Sequence, residues 1–370
     1  MRPRHNIFCS KPFEWFEITQ LNDRGGVYLC CPSWLDTCIG NIRHASVDEI
    51  WNGEKARNIR ASILDGSFQY CDFKNCAFLQ TRSGPVQNIK AVADPKLQDV
   101  IRKKLTRLPY GPEKIICTYD QSCNLSCPTC RNGIIVETGS RDEILAIEEK
   151  IRKQALGQAE MLYITGSGDP FGSPFFRKWL QSMRKQEMPN LKEICLHTNG
   201  MLWTPRLWDT IPEDIQSLVT AAEISIDAAT KEVYAINRRG GDFNRLLDNL
   251  AFISSLRQNG PIKSVKISMV VQENNYRSMP DFVQLGRRFR FDHVYFGRLL
   301  NWGTFTEADF KKRAVHMTGH PEHKAFQAVL KADVFNDPIA DLGNLTRFRN
   351  QSTMGRVSNR FRNLLGSLLQ

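Results

Sequence analysis

Three cysteines fall within eight residues, in Cys123-Asn-Leu-Ser-Cys127-Pro-Thr-Cys130. Thiolates gathered on one tight loop are the usual ligands of iron–sulfur clusters. Three of them cannot saturate a four-iron cluster. One iron keeps an open position, as catalytic metal sites do. A zinc reading needs a fourth ligand, and no nearby histidine supplies one. Six further cysteines lie in the first 76 residues: Cys9, Cys30, Cys31, Cys38, Cys71 and Cys76. Cys117 and Cys195 stand alone inside apolar runs, and the last 175 residues hold none. The start, Met1-Arg2-Pro3-Arg4-His5, runs into Ile7-Phe8-Cys9 without a long apolar core. It does not read as a secretory signal, so a reducing cytoplasm is expected. Eleven cysteines there point to metal ligation or chemistry rather than to disulfides.

Other side chains carry weaker signals. Cys195, His197 and Asn199 alternate along one strand and share a face. Cys195 and His197 are the candidates there for donating a hydrogen atom or a proton, against the plainer reading of Cys195 as core. His316, His320 and His323 have metal-like spacing, but Gly319 and Pro321 break a one-face helix, so they read as surface histidines. Gly166-Ser-Gly168 lacks the third glycine of a dinucleotide fingerprint. No alternation of aromatic and basic residues marks a single-strand nucleic-acid binder.

The elements that must position these residues follow two rhythms. Residues 1–81 are irregular. A hairpin of 13–18 with 27–29 is expected around the Gly25-Gly26 turn. Ser46 and Glu49 have capping-box spacing, and 54–64 continues as helix. Residues 82–111 read as a linker holding a short helix. From 112 to 305, six apolar strands (114–119, 161–165, 191–197, 222–227, 265–271, 293–297) alternate with helices. That is the mark of parallel βαβ units. If they curl into a barrel, its active site forms at the C-terminal strand ends, where polar residues and the cysteine triplet cluster. Residues 306–370 form a basic extension, with Arg356, Arg360, Phe361, Leu364 and Leu365 spaced for a short amphipathic helix. The chain of 370 residues is 41% hydrophobic and 24% charged, an ordinary globular balance. It has no apolar run of about 18 residues, so no membrane span is expected.

The triplet after the first strand resembles the signature of the radical S-adenosylmethionine superfamily, CxxxCxxC on a partial (βα)6 barrel. Gly168-Asp169-Pro170 looks like the family's Gly-Gly-Glu motif, which holds the cofactor's amino group, with Asp in place of Glu. Ser225-Ile-Asp227 resembles the segment whose serine meets the ribose. Arg238-Arg239-Gly240-Gly241 resembles the segment that supplies an arginine to the cofactor carboxylate, with Arg238 and Arg239 both open. Thr129 stands where the family often has an aromatic residue. The resemblance implies an α/β fold: a partial (βα)6 TIM-like barrel with a small irregular N-terminal iron–sulfur domain and a C-terminal helical tail. It also implies a mechanism. S-adenosylmethionine bound at the open iron is cleaved by one electron, and the resulting 5′-deoxyadenosyl radical removes hydrogen from a substrate carbon. The electron would come from a donor such as flavodoxin or ferredoxin.

The N-terminal cysteines, with Gly40-Asn41-Ile42 and Glu49-Ile50-Trp51, are similar to the auxiliary-cluster region called SPASM or twitch, which in the family normally follows the barrel. Here it precedes it. The resemblance implies one auxiliary four-iron cluster on Cys9, Cys31, Cys71 and Cys76, with Cys30 competing with Cys31 and Cys38 spare. Six cysteines are too few for two full clusters, which need eight. The expected enzyme oxidises, epimerises or otherwise modifies its substrate. The net charge of +11 favours an anionic partner. With no segment reading as a leader-peptide domain, the expectation leans to a small polar or sugar-type substrate, with a peptide or protein substrate as the alternative. A non-catalytic nucleic-acid-binding metalloprotein rests only on the charge and the arginine-rich tail.

Overall fold

The computed structural model describes residues 6–21 and 23–349. Among them twelve strands form: β1 (Ile7–Cys9), β2 (Trp15–Thr19), β3 (Gly26–Tyr28), β4 (Gly40–Asn41), β5 (Val86–Asn88), β6 (Lys114–Thr118), β7 (Met161–Ile164), β8 (Glu193–Thr198), β9 (Val219–Ser225), β10 (Ser264–Val271), β11 (His293–Arg298) and β12 (Ala340–Asp341). Strands β6 to β11 lie side by side in sequence order, all parallel. These are the six parallel strands that the strand–helix alternation predicts, in the order that the resemblance to a partial (βα)6 barrel implies.

Alternation along each strand separates two faces. Ile115, Leu162, Ile194, Leu196, Ile224, Ile267 and Phe296 are buried in the core. Helix Arg141–Gln154 contributes Ile144, Ile147 and Ile151 to that core, and helix Phe243–Asn259 contributes Leu246, Leu250 and Ile253. The other face is the lumen. Register places Glu17 beside Ile116, Ile116 beside Tyr163, Tyr163 beside Cys195, His197 beside Glu223, and Glu223 beside Lys266. A parallel sheet buried on both faces normally reads as near-continuous apolar strands. This lumen is polar instead.

The N-terminal module is not a separate unit beside the barrel. Strand β2 pairs in parallel with β6, from Trp15 opposite Lys114 to Thr19 opposite Thr118. The expected hairpin forms, with β3 antiparallel to β2 and β4 antiparallel to β3. With β12 added at the far edge, one ten-stranded sheet results. The segment read as a linker folds back as well: β5 pairs antiparallel with β1, and helix Pro95–Lys103 follows it. The capping box at Ser46 and Glu49 is made, starting helix Val47–Trp51. The basic amphipathic helix expected around Arg356 to Leu365 lies outside the described residues. None of the described helices is long and apolar enough to cross a membrane.

Helix Arg141–Gln154 carries one costly group. Glu148 is pushed up from an ordinary 4.5 to about 8, by burial first and by Asp120 second. Its Oε1 is buried without a hydrogen-bond partner. The native carboxyl therefore keeps a proton that the unfolded chain releases above pH 4.5. Protons bound in the unfolded state are fewer than in the native state across that window, so stability falls as pH rises from 4.5 to about 8. Glu148→Gln removes the penalty. Thermal unfolding of the variant should show a flatter pH profile and a gain of roughly 2 kcal/mol near pH 8. A profile parallel to that of the parent would refute this.

Candidate active site and iron–sulfur centres

The triplet loop starts where β6 ends, at the C-terminal rim of the barrel. Cys130 N and Arg131 N both donate to Cys127 O at 2.9 Å, which folds the loop into a tight turn. Cys123 and Cys127 are buried, and Cys130 is exposed. Each sulfur faces donors. Cys123 Sγ accepts from Leu125 N and Asn199 Nδ2, both at 3.5 Å. Cys127 Sγ lies 3.7 Å from Arg238 Nη1. Cys130 Sγ accepts from Arg131 Nε at 3.4 Å and Nη2 at 3.3 Å. Burial, then Asp169, pushes the Cys123 thiol up to about 11. Burial also raises the Cys127 thiol, while Arg238 opposes it. Two guanidinium groups and an amide aimed at three sulfurs suit thiolates held on iron, not neutral thiols. Among the described residues no three His, Cys, Asp or Glu side chains close on a single metal ion. A four-iron cluster spans a wider set of ligands than one ion does.

The strand ends beside the loop hold the residues that the motifs single out. Gly168 sits where only glycine fits, since a Cβ there would lie 2.5 Å from Asp120 O and 2.8 Å from Ser122 O. Asp169 is fully buried. Its Oδ1 accepts from Phe171 N at 3.0 Å and Gly172 N at 2.8 Å, and its Oδ2 accepts from Thr198 Oγ1 at 2.7 Å and Asn199 N at 2.8 Å. Both oxygens are thus engaged in tying the loop after β7 to the end of β8. Ser225 Oγ is 2.9 Å from His197 Nε2. Asp227, with φ of 60°, closes β9 and pairs with Arg238 at 2.9 Å. Thr165, with φ of 79°, ends β7 and accepts from Gly168 N at 2.9 Å. Non-glycine residues held in this region of φ cluster at functional sites.

The two open arginines separate. Arg238 lies between Cys127 and Asp227, and its Nε is buried without a partner. That orphaned donor fits a carboxylate ligand beside the cluster. Arg239 is exposed and bonds Ser126 Oγ at 3.0 Å and Asn132 O at 3.1 Å, bracing the cysteine loop from outside.

His197 and Cys195 both face the lumen. Cys195 is buried, and burial holds its thiol well above the usual range. His197 is part of a hydrogen-bonded chain that sequence reasoning missed. Its Nδ1 is 2.8 Å from Tyr163 Oη, which also donates to Glu223 Oε2 at 3.3 Å. Glu223 Oε2 pairs with Lys266 Nζ at 2.6 Å. Burial raises the Glu223 carboxyl, but Lys266 and then His197 outweigh it, leaving it below the usual range. Burial lowers His197 despite Glu223. Polar residues at the inward positions of strands that should be apolar were the available signal. The three C-terminal histidines are buried and not at the surface. His320 Nε2 and His323 Nδ1 contact the carbonyls of Lys312 at 2.8 Å and Val315 at 3.0 Å, and the His316 ring packs against Phe310 and Phe348 with its Nδ1 unpartnered.

The second thiol group lines a cavity in the N-terminal module. Its walls carry Cys9, Cys30, Cys71 and Cys76, with Lys11, Trp34 and Phe78 among their neighbours. Of the expected set, Cys9, Cys71 and Cys76 come together here. Cys30 lines the cavity with them, while Cys31 does not and instead faces Ser33 and Glu17. Burial pushes Cys9 up to about 12, with Cys76 adding to the rise. Buried thiols that mutually disfavour ionisation fit iron as the compensating charge. Cys38 donates to Gly40 O at 3.2 Å, a structural role.

The family model for the radical SAM superfamily matches residues 121–286. A second model, for an iron–sulfur cluster-binding domain, the SPASM domain, matches residues 9–77, ahead of it. The chain belongs to the radical SAM superfamily. Its radical SAM barrel carries a four-iron cluster with S-adenosylmethionine, and its SPASM module carries an auxiliary four-iron cluster. Matching solved structures include Streptococcus suis SuiB bound to S-adenosylmethionine, 14% identical, with 70% of this chain and 55% of that one covered and a TM-score of 0.40. SuiB bound to its precursor peptide SuiA matches at 13% identity, 68% and 55% coverage and a TM-score of 0.38. The anSMEcpe protein with AdoMet and the Kp18Cys peptide matches at 20% identity, 54% and 57% coverage and a TM-score of 0.37. The chain spans about half the length of the solved structures it matches. No curated protein matches at a significant level.

Proposed function

We propose that this radical SAM protein modifies a carbon of a peptide or protein substrate by hydrogen abstraction. The carrying observation is the rim of the barrel mouth. Ile134 is 63% exposed and Val136 54%, in an extended segment whose Ile135 bridges antiparallel to Cys123 beside the cluster loop. Trp302, 58% exposed, stands in the loop that follows β11 at the same end of the barrel. Exposed apolar side chains on an extended edge suit an extended peptide, which adds main-chain pairing to side-chain contacts. The lean to a small polar or sugar-type substrate rests on net charge and on no segment reading as a leader-peptide-binding domain. SuiB bound to a precursor peptide and anSMEcpe bound to a peptide are reading partners for the same view.

When bound, the cluster and S-adenosylmethionine supply a 5′-deoxyadenosyl radical. The chain's own residues do the rest. We assign Cys123, Cys127 and Cys130 to hold the cluster. Arg238, fixed by Asp227, receives the cofactor carboxylate with its free Nε. Ser225 meets the ribose, held by His197. Gly168 and Asp169 shape the loop that flanks the amino group. Tyr163, His197, Glu223 and Lys266 line the lumen and orient the substrate. Cys9, Cys30, Cys71 and Cys76 hold the auxiliary cluster.

Deuterium transfer into 5′-deoxyadenosine decides the substrate class. A fully deuterated peptide library and a deuterated pool of sugars and nucleotides would be offered separately to the anaerobically reconstituted protein with dithionite. Label from the peptides alone is expected. Label from the small-molecule pool alone would overturn the peptide reading.

A further inference from the structure

The auxiliary cavity holds a cation whose role the thiols alone do not explain. Lys11 opens the short 3₁₀ turn Lys11–Phe13, two residues after Cys9. It is 4% exposed. Its ammonium sits 3.8 Å from the centroid of the Trp15 ring, 5.2 Å from that of Phe78 and 5.7 Å from that of Trp34. It lines the same cavity as Cys9, Cys30, Cys71 and Cys76. Among the described residues the ammonium makes no hydrogen bond or ion pair.

That is unusual for this chain. The other deeply buried cation of the module, Arg60, donates to Pro12 O at 2.8 Å and Thr106 O at 3.0 Å. Lys11 has carboxylates nearby but none to itself. Glu14 is paired with Lys114 at 3.3 Å. Burial raises the Glu17 carboxyl to about 7 although Lys11 opposes the rise, and no hydrogen bond or ion pair joins the two. Aromatic faces attract a cation but do not replace a counter-ion. A buried ammonium without an anion is costly, and the anion that belongs to this cavity is the thiolate-bound cluster.

We propose that Lys11 is the counter-ion of the auxiliary cluster and sets its reduction potential. A four-iron cluster on four thiolates carries a net charge of about −2 when oxidised and gains one negative charge on one-electron reduction. A desolvated positive charge at the cluster favours the more negative state, so it raises the potential. The electron comes from the low-potential carrier or from the substrate radical, and no proton need move. Lys11 is a positioning residue: it acts through the cluster and not on substrate. The aromatic cage keeps it from turning to solvent.

The measurement is a redox titration of the auxiliary cluster by electron paramagnetic resonance. It uses the full-length chain with Cys123, Cys127 and Cys130 all changed to alanine, so that a single cluster reports. Lys11→Met keeps the apolar length and removes the charge. At equal iron content its reduced-to-oxidised ratio at a fixed potential should fall about tenfold or more, which for one electron is about 59 mV per tenfold. Lys11→Arg should restore most of the shift. An unchanged potential in Lys11→Met at full iron overturns the proposal. If the neutral variants Lys11→Met and Lys11→Gln both lose the cluster while Lys11→Arg keeps it, the pairing stands, as a requirement for retention. Loss in Lys11→Arg as well, or a parent that binds no iron at this site, overturns it.

Discussion

Cys127→Ala abolishes reductant-dependent formation of 5′-deoxyadenosine, down to the level seen without protein. The reason lies in how few ligands the site has. Three thiols already leave one iron open, and no other described cysteine stands at this rim to replace a lost one; the lone Cys117 and Cys195 belong to strands β6 and β8. Cys127 is also the thiol that Arg238 touches, at 3.7 Å. Its loss frees that guanidinium to turn wholly to Asp227, away from the place where a cofactor carboxylate would meet it. The fold survives, because Cys127 lies in a loop whose turn is made by its backbone carbonyl, which alanine keeps. Iron content should therefore fall by about half, from two four-iron clusters to one, while secondary structure is unchanged. Product formation at the parent's rate in the variant would remove this loop from the catalytic role.

Which parts of this molecule can be read from its sequence follows from how local each feature is. The cysteine triplet is legible because its ligands share one loop. The six barrel strands are legible because their core-facing residues make short apolar stretches that alternate with helical patterns. The capping box at Ser46 works for the same reason, with both partners three residues apart. Features fixed by distant pairing are not legible. Nothing in residues 15–19 says that they will continue the sheet from β6. The Tyr163–His197–Glu223–Lys266 chain draws one residue from each of four strands, and only register assembles it. Neighbouring residues are harder still. Arg238 and Arg239 have the same chemistry and point to opposite sides of the cysteine loop. Asp169 resembles a cofactor contact in its motif, yet both its oxygens are spent on the backbone and Thr198. The same difficulty governs Cys30 and Cys31, where a one-residue shift reverses the side of the chain that a thiol faces.

That reversal gives the second large effect. Cys30→Ala should lose the auxiliary cluster, and Cys31→Ala should keep it. Cys30 follows β3 with Leu29 between, and lines the cavity with Cys9, Cys71 and Cys76. Cys31 begins the next turn: its carbonyl accepts from Trp34 N at 3.0 Å and Leu35 N at 3.1 Å, and its thiol lies against Ser33 and near Glu17. Moving the Cys31 sulfur into the cavity would break that turn and withdraw Trp34, one wall of the Lys11 cage. Burial raises both thiols, so ionisation alone does not choose between them. Geometry does, since a cluster needs its fourth thiolate on the cavity side. In the background lacking the three barrel cysteines, iron should drop from about four per chain to near zero in Cys30→Ala, with the cluster's visible absorption lost. Cys31→Ala should hold its iron and its spectrum. The opposite pattern would assign the ligand to Cys31 and require the chain after β3 to rearrange on cluster binding.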